Sequence, residues 1–253
     1  MSSKIKDLNL GFDKVERIHH LADIHFRNFS RHKEYETVLN RLYKKINKNA
    51  NENSLITILG DVAHSKTDMS PELIKYTSEF LTKLESIRPV LLIPGNHDDN
   101  ILNSERMDAL TPIVENLNLD DLRYIKEPGL FRVGDTVFSH FSIYGENSDY
   151  VPASEIPNEY RKVALYHGTV DRSVTDQGYV LKNKDMTEMK FVNFHAVLLG
   201  DIHRRQKVSE YDVEEMVVEE NELEKYLNSG WSLAEEEVER ENDENPNKNE
   251  WFE

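Results

Sequence analysis

Residues Leu55–Ser65 read LITILGDVAHS, and the fold turns on how that stretch is interpreted. Five apolar or β-branched residues run into Gly60-Asp61, and His64 follows three positions later. A short apolar run closed by glycine is the mark of a buried strand that delivers polar chemistry at its carboxyl end. The glycine lets the chain turn sharply or lets another group come close. Taken alone, the stretch is equally well an ordinary strand followed by a Gly-Asp turn. Repetition decides between the two: four other apolar runs also end in Asp, Asn or His, usually beside Gly.

Working outward, Val15–Ala22 (VERIHHLA) is a strand candidate ending in Asp23-Ile24-His25. Side chains two apart leave a strand on the same side, so a D-x-H there is a ready pair for one cation. Between Lys33 and Lys48, residues Val38, Leu39, Leu42, Tyr43 and Ile46 share one face of a helix. Ser70-Pro71-Glu72 opens a second helix, with Ser70 as N-cap and Pro71 in the first turn. Val90–Ile93 is the next strand and delivers Pro94-Gly95-Asn96-His97-Asp98-Asp99. Ser104–Leu117 is predicted as a helix capped by Ser104. Strand and helix thus alternate three times, the pattern of a parallel sheet covered by helices, with ligands beyond the strand carboxyl ends.

The second half changes to shorter strands: Leu122–Ile125, a hairpin over Leu130–Tyr144 turning at Gly134-Asp135, Val163–Tyr166 ending at His167-Gly168, and Ala196–Leu199 ending at Gly200-Asp201-Ile202-His203. Residues 1–14 are expected to be an irregular lead-in and 145–162 a long surface loop. The fold class is α/β: a layered sandwich of two mixed sheets flanked by helices, truncated after the last metal motif. The domain reading is 1–207 for the body that carries these strand-end motifs. Residues 208–253 would be an acidic extension, with a strand at Tyr211–Glu220, a helix at Glu222–Leu227 and a disordered tail.

Composition bounds the chemistry. Among 253 residues there is no cysteine, so disulfides and thiolate metal sites are excluded, and any ion must be held by His, Asp, Glu or Asn. The net charge of −16 is concentrated at the end: from Val208 onward 17 acidic residues face 3 basic ones, whereas residues 1–207 carry 30 against 28. The body is nearly neutral, which leaves an anionic substrate open. No apolar run approaches the ~20 residues of a membrane span, and the first residues lack the apolar core of a secretory signal. The expectation is a cytoplasmic protein.

Collected at the strand ends are Asp23, His25, Asp61, Asn96, His97, His167, Asp201 and His203. His19, His20, His32, His140 and His195 fall elsewhere and read as structural. The ordered set D-x-H, G-D, G-N-H-D, H-G and G-x-x-H resembles the calcineurin-like metallophosphoesterase superfamily. Within it, GDVAHSKTDMSPELI looks like the SbcD-type branch of DNA double-strand-break repair nucleases. The GD-x-V-D-R-G of its protein phosphatases is absent.

The resemblance implies two divalent ions, manganese first, with iron, zinc or magnesium as alternatives. Asp23, His25 and His203 would hold one, Asn96, His167 and Asp201 the other, and Asp61 would bridge them. His97 would stabilise or protonate the leaving oxygen, Asp98 would orient His97, and His64 would guide the nucleic-acid strand. A hydroxide between the ions would attack phosphorus in line. The family pattern is G-H-x-H, so Asp201 is a departure. Implied partners are DNA and an SbcC-type, SMC-like ATPase, and a homodimer is allowed. The expected activity is phosphodiester hydrolysis of DNA, exo- or endonucleolytic. The rivals are a phosphoesterase acting on small nucleotides or phosphoproteins, and a catalytically impaired metal-binding variant.

Overall fold

The computed structural model describes residues 4–28, 32–67, 69–99, 106–204 and 206–208. The extension expected beyond 208, with its strand, helix and tail, lies outside them. Among the described residues, strands form two sheets. One is wholly parallel, in the order β2 (Arg17–Leu21), β3 (Ser54–Leu59), β4 (Val90–Ile93), β5 (Leu122–Tyr124). The other runs β1 (Ile5–Asp7), β6 (Gly129–Val133), β7 (Thr136–Phe141), β8 (Arg161–His167), β9 (Ala196–Gly200). It is parallel except for the β6–β7 hairpin. The expectation of two mixed sheets is therefore corrected to one mixed and one parallel. A sheet whose strands are joined through helices has no need of an antiparallel pair.

Alternation along each strand sorts the core into layers. Ile56, Ile58, Val90 and Leu92 turn toward helices α1 (His32–Asn49), α2 (Pro71–Glu85) and α3 (Thr111–Leu117), where they meet Leu39, Ile46, Leu73, Phe80, Leu81 and Leu84. Their neighbours Leu55, Leu59, Leu91 and Ile93 are equally buried on the opposite face. In the mixed sheet, Val137, Phe141 and Ala164 pack outward with Val151, Ala153, Ile156, Phe191 and Phe194. The inner strands β3, β4 and β7 are thus dry on both faces, which explains their continuous apolar runs. No helix among the described residues is long and apolar enough to cross a membrane.

Local chemistry accounts for most boundaries. Ser70 caps α2 by accepting a hydrogen bond from the Leu73 N–H at 3.2 Å. Of the helix expected over Ser104–Leu117, residues 106–110 are not helical and α3 begins at Thr111, while the expected cap Ser104 lies outside the described residues. Asp108 takes the capping work there: its carboxylate accepts the N–H groups of Leu110 and Thr111 and the Thr111 hydroxyl. Three further expectations are corrected. The lead-in contains β1, which extends the mixed sheet alongside β6. Residues 145–162 are not simply a surface loop: two 3-10 turns, Asn147–Asp149 and Ala153–Glu155, bury Val151, Ala153 and Ile156, and β8 already starts at Arg161.

Candidate metal centre

Every strand that carries a candidate ligand ends at one edge of the sandwich. After β2 and β3 the two chains stay paired: the Asp23 N–H reaches the Gly60 carbonyl at 3.2 Å, His25 reaches Asp61 at 2.9 Å and Phe26 reaches Val62 at 2.9 Å. The strand geometry itself does not continue. Asp23 (φ 57°), His25 (φ 50°), Asp61 (φ 54°) and Asp201 (φ 87°) all adopt the left-handed region. Asp23 and His25 are therefore aimed by two left-handed residues on either side of Ile24 rather than by the alternation that their spacing suggested. Such conformations cost of order 1–3 kcal/mol each and persist where surrounding structure holds them.

Glycines make the room. A Cβ on Gly95 would fall 2.2 Å from Asp61 Oδ1, and one on Gly200 would fall 2.3 Å from the Leu59 carbonyl oxygen. On Gly60, with φ +73°, it would lie 2.5 Å from His167 Nδ1. Into the space so cleared His167 inserts from the end of β8, fully buried, its Nδ1 donating to the Leu59 carbonyl at 2.7 Å.

The donors then cluster. Ligand atoms of Asp23, His25 and His203 lie within 4.8 Å of one another, as do those of Asp23, Asp61 and His167. Asp61 looks both ways, with Oδ2 3.5 Å from His25 Nε2 and Oδ1 3.3 Å from His167 Nε2. His25 Nε2 and His203 Nε2 are 3.1 Å apart, about the separation of adjacent ligands on an ion bound at ~2.1 Å. His167 Nε2 and Asn96 Oδ1 are buried and make no hydrogen bond. Buried polar atoms are rarely left so, and His167 Nε2 has the Asp61 carboxylate oxygen 3.3 Å away, a pairing that a proton or a cation would reconcile. His25, His64 and His97 form a third close set on the exposed side.

Charge agrees with the geometry. Burial, helped by the Asp61 charge, raises the pKa of Asp23. Burial also works against charge on Asp61, but His167, the His97 N–H and His25 outweigh it and hold that carboxylate ionised. His25 is pushed down to about 4, chiefly by burial, and so offers a neutral imidazole. Burial opposes a proton on His167 as well, yet Asp61 and the Leu59 carbonyl hold its pKa up at about 9. A cation entering there would take the place of that proton.

The remaining expected residues have distinct places. His97 is exposed, its backbone N–H donates to Asp61 Oδ1 at 2.8 Å, and its ring Nδ1 lies 2.8 Å from the His64 carbonyl oxygen. His64 stacks beside it, with ring centroids 5.7 Å apart. Asp98 is not directed at the His97 ring. Its carboxylate accepts the backbone N–H groups of Ala63 (2.8 Å), Gly95 (3.0 Å) and Val62 (3.3 Å), tying the loops after β3 and β4 together. Burial raises the Asp98 pKa to about 7 against the pull of those donors. Asp201 belongs to none of the three clusters among the described residues. One participant escaped the sequence reading: Thr169, two positions after His167, whose hydroxyl donates to Asp201 Oδ2 at 3.0 Å. A hydroxyl following His-Gly carries no pattern of its own.

The model of the Calcineurin-like phosphoesterase family matches residues 16–228 and so takes in every strand-end residue described above. The chain belongs to the calcineurin-like phosphoesterase family. An uncharacterized protein of Acanthamoeba polyphaga mimivirus is 43% identical to it over 209 residues, which cover 78% of this chain and 15% of that protein. The chain thus spans about a seventh of the length of that relative. Membership in this phosphoesterase family supports metal-dependent hydrolysis of phosphoesters, and the clusters supply suitable nitrogen and oxygen donors.

Proposed function

We propose that this phosphoesterase is a two-metal phosphodiesterase that hydrolyses DNA, with manganese as the preferred ion and an SMC-like ATPase of the SbcC type as partner. The observation that carries the two-ion reading is the placement of Asp61, one carboxylate oxygen facing His25 and the other His167. His203 and Asp23 complete the first group, and to the second we assign Asn96, whose Oδ1 is buried and without a hydrogen bond. Asp201, expected from its position as a ligand of the second ion, stands at that group's edge. When bound, the ions supply an ionised water at neutral pH and neutralise charge on the phosphoryl oxygens.

The chain's own residues do the rest. A carbonyl can only accept, so His97 Nδ1 donates its proton to the His64 oxygen, and Nε2 is left as the atom that gives or takes a proton. That fixes Nε2 as the end of the His97 ring that would donate to the leaving oxygen of a broken ester. His64 stands exposed next to it, where a strand on its way to the centre would pass. Asp98 fixes both loops from beneath. The DNA reading rests on the likeness of GDVAHSKTDMSPELI to the SbcD-type branch.

The test is a manganese-dependent assay of linear duplex DNA against cyclic nucleotides and aryl phosphates, with His97→Asn as control. Metal-dependent cleavage of DNA, lost in the variant while ion binding is kept, is the expected result. Turnover confined to the small esters would move the substrate class to small nucleotides.

A further inference from the structure

The geometry points to Asp201 and Thr169 as positioning residues that fix the side chain of Asn96, rather than to Asp201 as a ligand itself. The inference rests on the two-ion reading. Asp201 stands where the family pattern has a histidine, and both of its carboxylate oxygens are engaged. Oδ1 accepts from Asn96 Nδ2 at 3.2 Å and Oδ2 from the Thr169 hydroxyl at 3.0 Å. Its backbone N–H meanwhile donates to Asp23 Oδ1 at 3.0 Å, so the same residue steadies a carboxylate of the first group.

The consequence falls on Asn96. An amide can be turned end for end at almost no steric cost, and the two ends differ completely as ligands. An ionised carboxylate accepts and cannot donate, so Asp201 selects the orientation that presents the NH2 to itself. Asn96 Oδ1 is thereby turned the other way, where it is buried and without a hydrogen-bond partner. Thr169 keeps Asp201 from swinging, and the Gly168 N–H to Gly200 carbonyl bond at 3.3 Å ties the two strand ends on which they sit. On this account the second ion is held without Asp201, by Asn96 beside the Asp61 and His167 donors.

Manganese titration of the full chain, read by calorimetry and by the electron paramagnetic resonance of the bound ion, tests this without recourse to activity. Asp201→Ala is expected to weaken the second ion about 10- to 100-fold, as loss of an outer-shell partner does. Thr169→Val should weaken it about tenfold, the worth of one hydrogen bond to a charged group. Asp201→Asn keeps an acceptor for Asn96 and should recover most of the affinity. In the double variant with Asn96→Ala, loss of Asp201 should add nothing further, because it acts through Asn96. Additive losses would overturn the inference, and so would a manganese-soaked crystal with an Asp201 oxygen at a bonding distance of about 2.0–2.2 Å. That crystal uses the unaltered chain and decides the matter even if Asp201→Ala does not fold. Failure of the unaltered chain to take up any manganese would instead remove the two-ion reading on which the inference stands.

Discussion

The ring of His97 is held by the backbone of His64, Nδ1 to carbonyl oxygen at 2.8 Å, and not by the neighbouring Asp98 carboxylate. The two histidines can therefore be separated by mutation. His64→Ala keeps the carbonyl and with it the orientation of His97. It should raise KM for a nucleic-acid substrate and leave kcat within a fewfold. His97→Asn should lower kcat about 10²- to 10⁴-fold, the usual contribution of a positioned acid, with both ions retained. Steady-state kinetics on the two variants, beside manganese stoichiometry, checks the division of labour. An equal fall in kcat for both would refute it.

Asp98 makes a different prediction. Three backbone N–H groups converge on its buried carboxylate, and an amide can accept at only one of its two ends. Asp98→Asn turns an NH2 toward donors and should destabilise the chain by about 1–3 kcal/mol, the cost of unsatisfied buried groups. Urea unfolding of the metal-free protein measures it. An unchanged midpoint would mean that the two loops do not depend on this clamp.

The glycine spaces around His167 yield a third expectation. Gly200→Ala puts a methyl 2.3 Å from the Leu59 carbonyl and 2.6 Å from His167 Nδ1, closer than real Cβ atoms come. Backbone has to shift, so the variant should lose about 1–3 kcal/mol and bind the second ion more weakly. Gly200 does not have a positive φ, so the loss comes from the clash and not from backbone conformation. Thermal melts with and without manganese separate the two effects.

Removal of the ions should be visible in stability. Asp23, Asp61, His25 and His167 crowd together on a backbone with three left-handed residues among them. An ion at a hundred times its dissociation constant stabilises by about 2.7 kcal/mol. For a chain of this size that corresponds to a rise of roughly 5–10 °C in Tm for each ion. Manganese should therefore raise Tm, a chelator should reverse it, and Asp61→Asn should abolish most of the rise, since that residue faces both groups. A metal-independent Tm would contradict the site.

The parts of the fold that were legible in the sequence are those written in local chemistry. Apolar runs ending at Gly60, Gly95 and Gly200 marked the site edge because a ligand-bearing turn needs both a strand to aim it and space beside it. Ser70-Pro71 marked a helix start because its cap is satisfied within three residues. Long-range partners hid the remainder. β1 is a strand only because β6, over a hundred residues later, pairs with it. Asp98 reaches back 35 residues to Ala63, so its neighbour in sequence, His97, was the wrong place to look for its partner. Helix α3 starts late because Asp108, itself anchored by Lys126 and Tyr124, captures the N–H groups at its beginning. Thr169 matters only through Asp201, 32 residues on.

His140 lies in the mixed sheet away from the ligands, and it ties stability to pH. Its Nδ1 donates to the Glu127 carbonyl at 3.0 Å and the ring is fully buried in β7. Burial lowers its pKa from 6.5 to about 4, because a charged imidazole has no solvent there. Protons consequently bind the unfolded chain first: stability is whole above pH 6.5 and drains as the pH falls from 6.5 toward 4. At about 1.4 kcal/mol for each tenfold difference in proton affinity, the loss from this one side chain is about 3 kcal/mol. His140→Gln keeps an N–H for Glu127 and has nothing to protonate. Denaturant unfolding of both proteins at pH 7.0 and pH 4.5 isolates the effect, since every other titrating group is common to the pair. The variant should lose less stability than the parent over that interval, by about 2–3 kcal/mol. Parallel losses would show that His140 is protonated in the folded chain.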